Sequence, residues 1–248
     1  MPVVVAVATA LAIPLTTPAR AAEPSPPKAA AQYQAPKSQD VHKPESVAPG
    51  NRTELLGSHY KQSADTAFTT SGDGTGFHLL VADEATGYAW KTAATLSEPR
   101  FETDTWIGSS CLTASGNRAA VAYAPRTFTN KPELMARGAF AAVVDLTTGK
   151  VTKLPLQASL AYFNPGCGAG EKAVFTQLSY EDNHAQQTRL ITVDAATGKA
   201  GVPVVCNGQV SSAVPVDGGA VAAHGNRVVK ASANGKLTEI ARTTQTPF

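Results

Sequence analysis

The chain has 248 residues, of which 43% are apolar and 16% are charged, and 21 basic against 19 acidic residues leave a net charge of +2. The apolar fraction is sufficient for a folded core, and 20 Gly and 17 Pro are too few for a collagen-like or low-complexity chain. The basic residues are not clustered, which argues against nucleic-acid binding because phosphate contacts need a basic face. The composition therefore predicts a folded domain and excludes coiled coils and multi-span membrane proteins.

The first 21 residues have the features of a secretory signal. Residues 3–15 form an apolar run too short to cross a bilayer, and Ala19-Arg20-Ala21 follows as a small-x-small cleavage pattern, although the positive n-region is missing. A buried strand is the alternative for the apolar run. We predict a signal peptide over residues 1–21, a secreted or cell-envelope location, and no transmembrane segment after signal removal.

A Pro/Ala-rich linker is predicted over residues 22–62. Six prolines lie between residues 23 and 50, namely Pro24, Pro26, Pro27, Pro36, Pro44 and Pro49. Few apolar side chains are present to offset the entropy of ordering this backbone, and proline stiffens it. We expect a disordered, semi-extended tether, followed by a repeat domain over residues 63–248.

A hairpin motif recurs in the repeat domain. An apolar strand ends in Asp, and a short turn then leads to Gly and a returning strand; the pairs are Asp83 and Gly87, Asp145 and Gly149, and Asp194 and Gly198. A weaker copy ends at Gly235. The Asp side chain can accept backbone N–H groups across the turn, and Gly supplies the positive φ that closes it. We interpret these residues as structural turn residues.

Two further strands recur before each of the later hairpins. Segments 106–123, 161–176 and 210–223 each have a strand, a Gly-containing turn and a second apolar strand. Repeated four-stranded units of about 40–50 residues are typical of propeller blades. The sequence thus predicts an all-β fold, a β-propeller of about four blades, either closed as a small ring or continued in a longer chain. A β-sandwich is the structural alternative.

The apolar-Asp-x-x-Thr-Gly-Lys hairpin resembles that of the bacterial secreted β-propellers of the YVTN and quinoprotein-like repeat group. The resemblance covers roughly residues 66–243. It implies a scaffold that binds partners or ligands over one face, and it implies no particular activity.

The three cysteines leave one unpaired in a secreted chain. Cys111 and Cys167 occupy matching places near the end of the first strand of consecutive units, so we predict that they form a disulfide. Cys206 follows a strand of the opposite direction and is expected towards the other face. Three unpaired buried thiols are the alternative.

The long connection from Pro125 to Gly138 is the candidate partner-binding loop. Its apolar side chains are candidate anchors and its basic side chains a candidate rim, which gives the set Arg126, Phe128, Lys131, Leu134, Met135 and Arg137. The alternative is a short helix that packs the apolar side chains back on the blade.

No sequence motif for a nucleophile, a zinc site or a phosphate-binding loop is present. We therefore predict no catalytic residue, metal ligand or cofactor, and we interpret the polar segment Tyr180–His184 as a solvated loop. The predicted function is a non-catalytic binding or scaffolding module of a secreted or cell-envelope bacterial protein, with an unidentified protein or envelope ligand. Alternatives are the N-terminal recognition domain of a larger secreted enzyme or toxin, and a propeller enzyme of the lyase or quinone-dependent dehydrogenase type.

Overall fold

The computed structural model describes residues 42–131, 134, 138–161, 163–179 and 186–245, all within one compact unit that spans residues 35–248. Four antiparallel sheets make up this part of the chain. The first sheet contains β1 (Thr66–Asp73), β2 (Gly76–Asp83) and β3 (Lys91–Leu96), and the second contains β4 (Trp106–Leu112), β5 (Arg118–Pro125), β6 (Ala139–Asp145) and β7 (Val151–Ala158). The third contains β8 (Gly166–Cys167), β9 (Lys172–Ser179), β10 (Gln187–Asp194), β11 (Lys199–Ala200) and β12 (Val204–Asn207), and the fourth contains β13 (Ser211–Val216), β14 (Gly219–His224), β15 (Arg227–Ser232) and β16 (Leu237–Arg242).

Each sheet is a meander in which neighbouring strands follow one another along the chain. In the third sheet, β11 and β12 both pair with β10, at Val193–Asp194 and at Gln187–Leu190 respectively. The two short strands therefore form one outer strand, interrupted at Gly201-Val202-Pro203, where proline cannot donate to a ladder.

Short helices precede the sheets and lie inside the range predicted as linker. They are the 3-10 helices Pro49–Asn51 and Tyr60–Gln62 and the α-helix α1 (Arg52–Leu56). Two other 3-10 helices, Glu84–Thr86 and Arg126–Asn130, lie between strands. Val47 N–H donates to the carbonyl of Gly87 at 2.8 Å, and Arg52 Nε donates to the carbonyl of Val47 at 3.0 Å. These bonds hold the segment that precedes β1 against the turn between β2 and β3.

The sheets stack face to face because their central strands are apolar on both sides. In β5, Val121 and Tyr123 pack with Phe77 and Leu79 of the first sheet. The alternate residues of β5 pack instead with the third sheet, in a core that includes Ala120, Ala122, Ala173, Phe175 and Ile191. The other face of the third sheet, with Val174 and Cys206, packs on Ala213 and Ala222 of the fourth. Successive side chains of a strand point to opposite faces of its sheet. A strand that lies between two neighbouring sheets is therefore apolar at successive positions.

The strands β4, β8 and β13 each form one edge of their sheet, and β8 contacts both of the others. We call these three strands the inner strands. Cys111 of β4 is bonded to Cys167 of β8. A side chain at Gly166 would collide with the carbonyl of Ala213, and one at Gly168, just after β8, would collide with that of Pro215. The close approach of these backbones thus requires small residues.

Within the described residues, the first sheet has no strand that corresponds to β4, β8 or β13. Its hairpin glycine, Gly87, has a φ of 70°, close to the 72° of Gly149 and the 73° of Gly198, so β2 and β3 correspond to β6 and β7. β1 then corresponds to the second strand of the other sheets. Accordingly, the end of β1 lies at the start of β4, where a side chain at Gly72 would collide with the carbonyl of Trp106.

The prediction of an all-β propeller with about four recognisable blades is confirmed. A two-layer sandwich would bury one face of each sheet, whereas the second and third sheets are covered on both faces. Among the described residues, the strands of the first and fourth sheets share no extensive contact, so the array of sheets is open between them.

Candidate functional site

In the second and third sheets, Asp145 and Asp194 form hydrogen bonds within their own hairpin turns. Asp145 Oδ1 accepts hydrogen bonds from the backbone N–H of Thr148 at 2.8 Å and from its hydroxyl at 2.9 Å. Asp194 Oδ1 accepts the same two bonds from Thr197, at 2.9 and 3.0 Å. The bonds from Thr148 and Thr197 hold the pKa of each carboxyl below its usual range.

The first of these hairpins is built differently. The backbone forms a 3-10 turn over Glu84–Thr86, and the hydroxyl of Thr86 donates to the Asp83 carbonyl at 2.9 Å. The Asp83 carboxylate contacts Lys91 Nζ at 3.4 Å, across the hairpin. Gly87 keeps the positive φ that the motif predicts.

The cysteines have the predicted pairing. Cys111 and Cys167 form a disulfide with a Cα–Cα distance of 5.6 Å, which joins the inner strands of the second and third sheets. Cys206 is a buried free thiol that packs between the third and fourth sheets, and burial raises its pKa. The disulfide is therefore structural.

The candidate partner loop does not present its aromatic anchor. Phe128 is 1% exposed and lies in the core between the second and third sheets, where its ring contacts Phe101 at 5.5 Å and Phe140 at 6.0 Å. Leu134 is partly buried against the same core. The alternative of a short helix packed on the blade is thus the one observed for these side chains, and the prediction of Phe128 as an anchor is wrong.

The basic residues of that loop lie at the surface. Arg126 pairs with the carboxylate of Asp104, and Lys131 is exposed. Met135 and Arg137 lie outside the described residues, as does the polar segment 180–184 that was considered as a solvated loop. The sequence could not distinguish a buried Phe128 from an exposed one because the direction of a loop side chain depends on the aromatic partners that surround it.

A polar cavity of about 570 Å³ lies at one end of the fourth sheet. Four strand ends converge there: the start of β13, the end of β14, the start of β15 and the end of β16. The lining residues are Gln209, Ser211, His224, Gly225, Asn226, Arg227 and Arg242. None of the described residues that line the cavity carries a carboxylate.

Arg227 and Arg242 are the two arginines that line the cavity. Arg227 Nη2 lies 2.5 Å from His224 Nδ1, and because a guanidinium can only donate, Nδ1 accepts and the imidazole proton lies on Nε2. None of the ion pairs of the described residues involves Arg227. Its charge is therefore balanced by no protein carboxylate in the described part of the chain.

The walls of the cavity are held by local backbone geometry. Gly225 has a φ of 60° in the tight turn that pairs His224 with Arg227. Gly208, with a φ of 84°, lies against the imidazole, and a Cβ there would be 2.7 Å from His224 Nε2. Arg242 is held by Glu239, with donor–acceptor distances of 2.9 and 3.3 Å. This arrangement suits recognition of an anionic group.

Sequence reasoning missed this cavity because its residues come from three separate segments, residues 209–211, residues 224–227 and residue 242. The histidines have no shared spacing, and His224-Gly225-Asn226-Arg227 reads only as a turn. The one local signal is the placement of His and Arg on either side of a two-residue Gly-Asn turn, since that places both side chains at the same sheet end.

A second polar cluster closes the hairpin between β1 and β2. His78, 2% exposed, contacts Asp73 Oδ1 through Nε2 at 3.0 Å and Thr95 Oγ1 through Nδ1 at 2.9 Å. Burial raises the pKa of Asp73, but hydrogen bonds from Thr75 and His78 outweigh it and leave the pKa below its usual value. Because both ring nitrogens are engaged and the ring is buried, the cluster has a structural role, tying the hairpin to β3.

No group of three or more His, Cys, Asp or Glu side chains within the described ranges has the geometry to hold a metal ion. Across the same ranges, no helix combines the length and apolar content needed to cross a bilayer.

No protein-family model matches this chain, and no curated protein matches it. Similar solved structures include a prolyl endopeptidase (15% identity, TM-score 0.46), TolB from Acinetobacter baumannii (13%, 0.38) and an acylaminoacyl peptidase from Pyrococcus horikoshii (12%, 0.42). These matches cover 73%, 73% and 72% of this chain but only 26%, 41% and 30% of the other chains, so the chain spans less than half the length of each. The propeller assignment rests on the strand topology of the chain itself.

Proposed function

We propose that this chain is a non-catalytic binding module of a secreted or cell-envelope bacterial protein, and that it binds an anionic group of its ligand in the Arg227 cavity. The observation that carries the proposal is the Arg227 guanidinium, which lines a polar cavity and forms an ion pair with none of the described carboxylates. A carboxylate or phosphate entering the cavity would supply the neutralising charge and accept hydrogen bonds from the surrounding donors.

The location and the segment boundaries belong to the same proposal. A disulfide between Cys111 and Cys167 is typical of proteins that mature in an oxidising compartment. It supports export directed by a signal peptide over residues 1–21. The predicted linker over residues 22–62 remains part of the proposal for the stretch that precedes the helices beginning at Pro49. Membership of the YVTN and quinoprotein-like group is proposed on the hairpin motif alone. No described residue favours a recognition domain of a larger enzyme or a propeller enzyme over the binding module.

The test is a titration of the full chain with inorganic phosphate and, separately, with succinate, monitored by calorimetry or NMR. Arg227→Gln should weaken binding by about 10–100-fold, since a hydrogen bond to a charged group contributes about 1.5–3 kcal/mol. Binding should also weaken as ionic strength rises.

Arg189→Gln is the matched control, because Arg189 is an exposed arginine on β10 of the third sheet, outside the cavity. It should leave both affinities unchanged. Equal affinities of the wild type and the Arg227→Gln variant, or equal losses in both variants, would contradict the proposal.

A further inference from the structure

β1 forms the inner edge of the first sheet, and among the described residues no strand pairs with the side of β1 that faces away from β2. In the other sheets, the corresponding strands β5, β9 and β14 are each paired on that side with an inner strand, namely β4, β8 and β13. The two strands also differ in burial: seven of the eight residues of β5, which lies between two sheets, are buried, whereas none of the eight residues of β1 is. Half of the backbone N–H and C=O groups of an edge strand point away from its neighbour.

The open edge of β1 lacks the features that normally prevent strand pairing. Natural edge strands are interrupted by bulges, charged side chains or proline. β1 pairs with β2 over eight consecutive residues without a bulge, and its only charged residue is the terminal Asp73. It contains no Lys, Arg or Pro.

The outer edges of three sheets show the opposite pattern. β3 begins with Lys91, β7 contains Lys153 and Pro155, and β16 contains Glu239 and Arg242. Each of these strands also pairs with its neighbour through a register shift, which twists the edge. Features that prevent pairing with a further strand are therefore present at these outer edges and absent from β1. This difference indicates that β1 pairs with a further strand.

The other inner strands indicate what fits beside β1. They run antiparallel to the second strand of their sheet, and they are rich in small residues because neighbouring backbones approach closely. A Cβ at Gly108 of β4 would lie 2.5 Å from the carbonyl oxygen of Ala122, and those at Gly166 and Gly168 would collide with the next inner strand. A strand beside β1 would continue this row and would need Gly, Ser or Ala at the same places.

We propose that β1 is a strand acceptor, which binds an extended, uncharged, small-residue segment of a partner protein antiparallel to itself. Main-chain hydrogen bonds along Thr66–Asp73 provide the affinity, and the narrow space beside β4 selects small side chains. This interaction goes beyond the anion-binding function proposed above and uses a different sheet.

The experiment uses the full chain and a synthetic peptide with the sequence of residues 105–113, with Cys111→Ser to prevent disulfide exchange. Hydrogen exchange of the β1 amides is measured with and without the peptide. We expect the amides that face the open edge to exchange at least ten-fold more slowly at saturating peptide. A peptide of the same composition with proline at alternate positions should have no effect, because it cannot form the ladder.

Two neighbouring substitutions, Thr69→Pro and Thr70→Pro, provide a matched pair. Successive N–H groups of a strand point to opposite sides, so one proline removes a bond to β2 and the other removes only an edge-facing N–H. The variant that keeps the wild-type melting temperature is the edge variant, and it should lose peptide protection. Persistent protection in that variant would overturn the proposal.

Two further results would also overturn it. Edge amides that are already protected in the monomer without peptide would mean that another segment of this chain occupies the site. If the edge amides of β1 exchange slowly only when sedimentation detects a dimer, the site joins two copies of the chain. Arg227→Gln should retain peptide binding, so a failure here is distinguishable from a failure of the anion site.

Discussion

At the residue scale, the hairpin glycines connect sequence to fold most directly. Gly149 and Gly198 have φ values of 72° and 73°, in the left-handed region that a β-branched residue rarely adopts. A Cβ at Gly149 would also lie 2.7 Å from the carbonyl oxygen of Ala93 in the neighbouring sheet. The turn and the packing between sheets thus depend on the same missing side chain.

We therefore expect Gly149→Val and Gly198→Val each to lower the free energy of unfolding by about 1–3 kcal/mol, the cost of a strained backbone conformation. Thermal melting followed by circular dichroism measures this effect. Gly50→Val is the control, because Gly50 has no positive φ and no atom within 4 Å of its Cβ position. Unchanged melting of both turn variants would refute the turn assignment.

At the element scale, the disulfide joins two inner strands that belong to different sheets. Cys111 and Cys167 are 56 residues apart, so the bond closes a loop that contains most of the second sheet. In the chain-entropy account, a loop of this length stabilises the fold by restricting the unfolded chain. The disulfide is thus the one covalent cross-link between blades in the described part of the chain.

Replacing both cysteines, as Cys111→Ser with Cys167→Ser, is expected to lower the free energy of unfolding by about 2–5 kcal/mol. Urea denaturation of the oxidised wild type and of the variant measures the difference. A Cys206→Ala variant serves as the control, since it should keep the disulfide and its intact mass should be two hydrogens below that of the reduced chain. Equal stability of the oxidised wild type and the double variant would contradict this role.

At the scale of the whole molecule, carboxylates connect turns and neighbouring sheets. Glu171 of the third sheet accepts a hydrogen bond from Arg118 of the second at 3.0 Å, and Arg118 also lies 3.8 Å from Asp145. Burial raises the pKa of Glu171, but hydrogen bonds from Ser115 and Arg118 outweigh it and lower the pKa. Asp73, Asp145 and Asp194 have lowered pKa values as well.

These lowered carboxyl pKa values determine how the stability of the fold changes with pH. A carboxyl whose folded pKa is below its unfolded value stabilises the fold above the unfolded pKa, and the contribution is lost as the pH falls through the folded pKa. We expect stability to change little between pH 7 and pH 5 and to fall below about pH 4, near the unfolded carboxyl pKa values. Melting temperatures recorded from pH 7 to pH 2 measure this loss of stability.

The Asp145→Asn and Asp194→Asn variants should show a shallower fall in acid than the wild type, because each removes one carboxylate whose protonation destabilises the fold. Glu54→Gln, at an exposed residue of α1, is the control and should leave the acid slope unchanged. A wild-type melting temperature that is constant down to pH 2 would contradict the prediction.

The sequence by itself determined the local features of this protein. The Asp, Thr and Gly residues of these hairpins lie within five positions of one another, so the turns at Gly149 and Gly198 can be predicted from the sequence. The apolar strands between them predict buried sheets, and the repeat places Cys111 and Cys167 at equivalent points of adjacent units, which is why their pairing could be predicted.

Only the tertiary structure decided which side chains meet across the repeats. Phe128 is buried because Phe101 and Phe140 converge on it, and the cavity exists because the ends of distant strands place Arg227 beside His224 with Arg242 on the same wall. The absence of a described strand beside the inner edge of β1 likewise becomes evident only when the four sheets are compared in space. Local turns depend on neighbouring residues, whereas pockets, cores and open edges depend on the relative placement of elements, which no short stretch of sequence encodes.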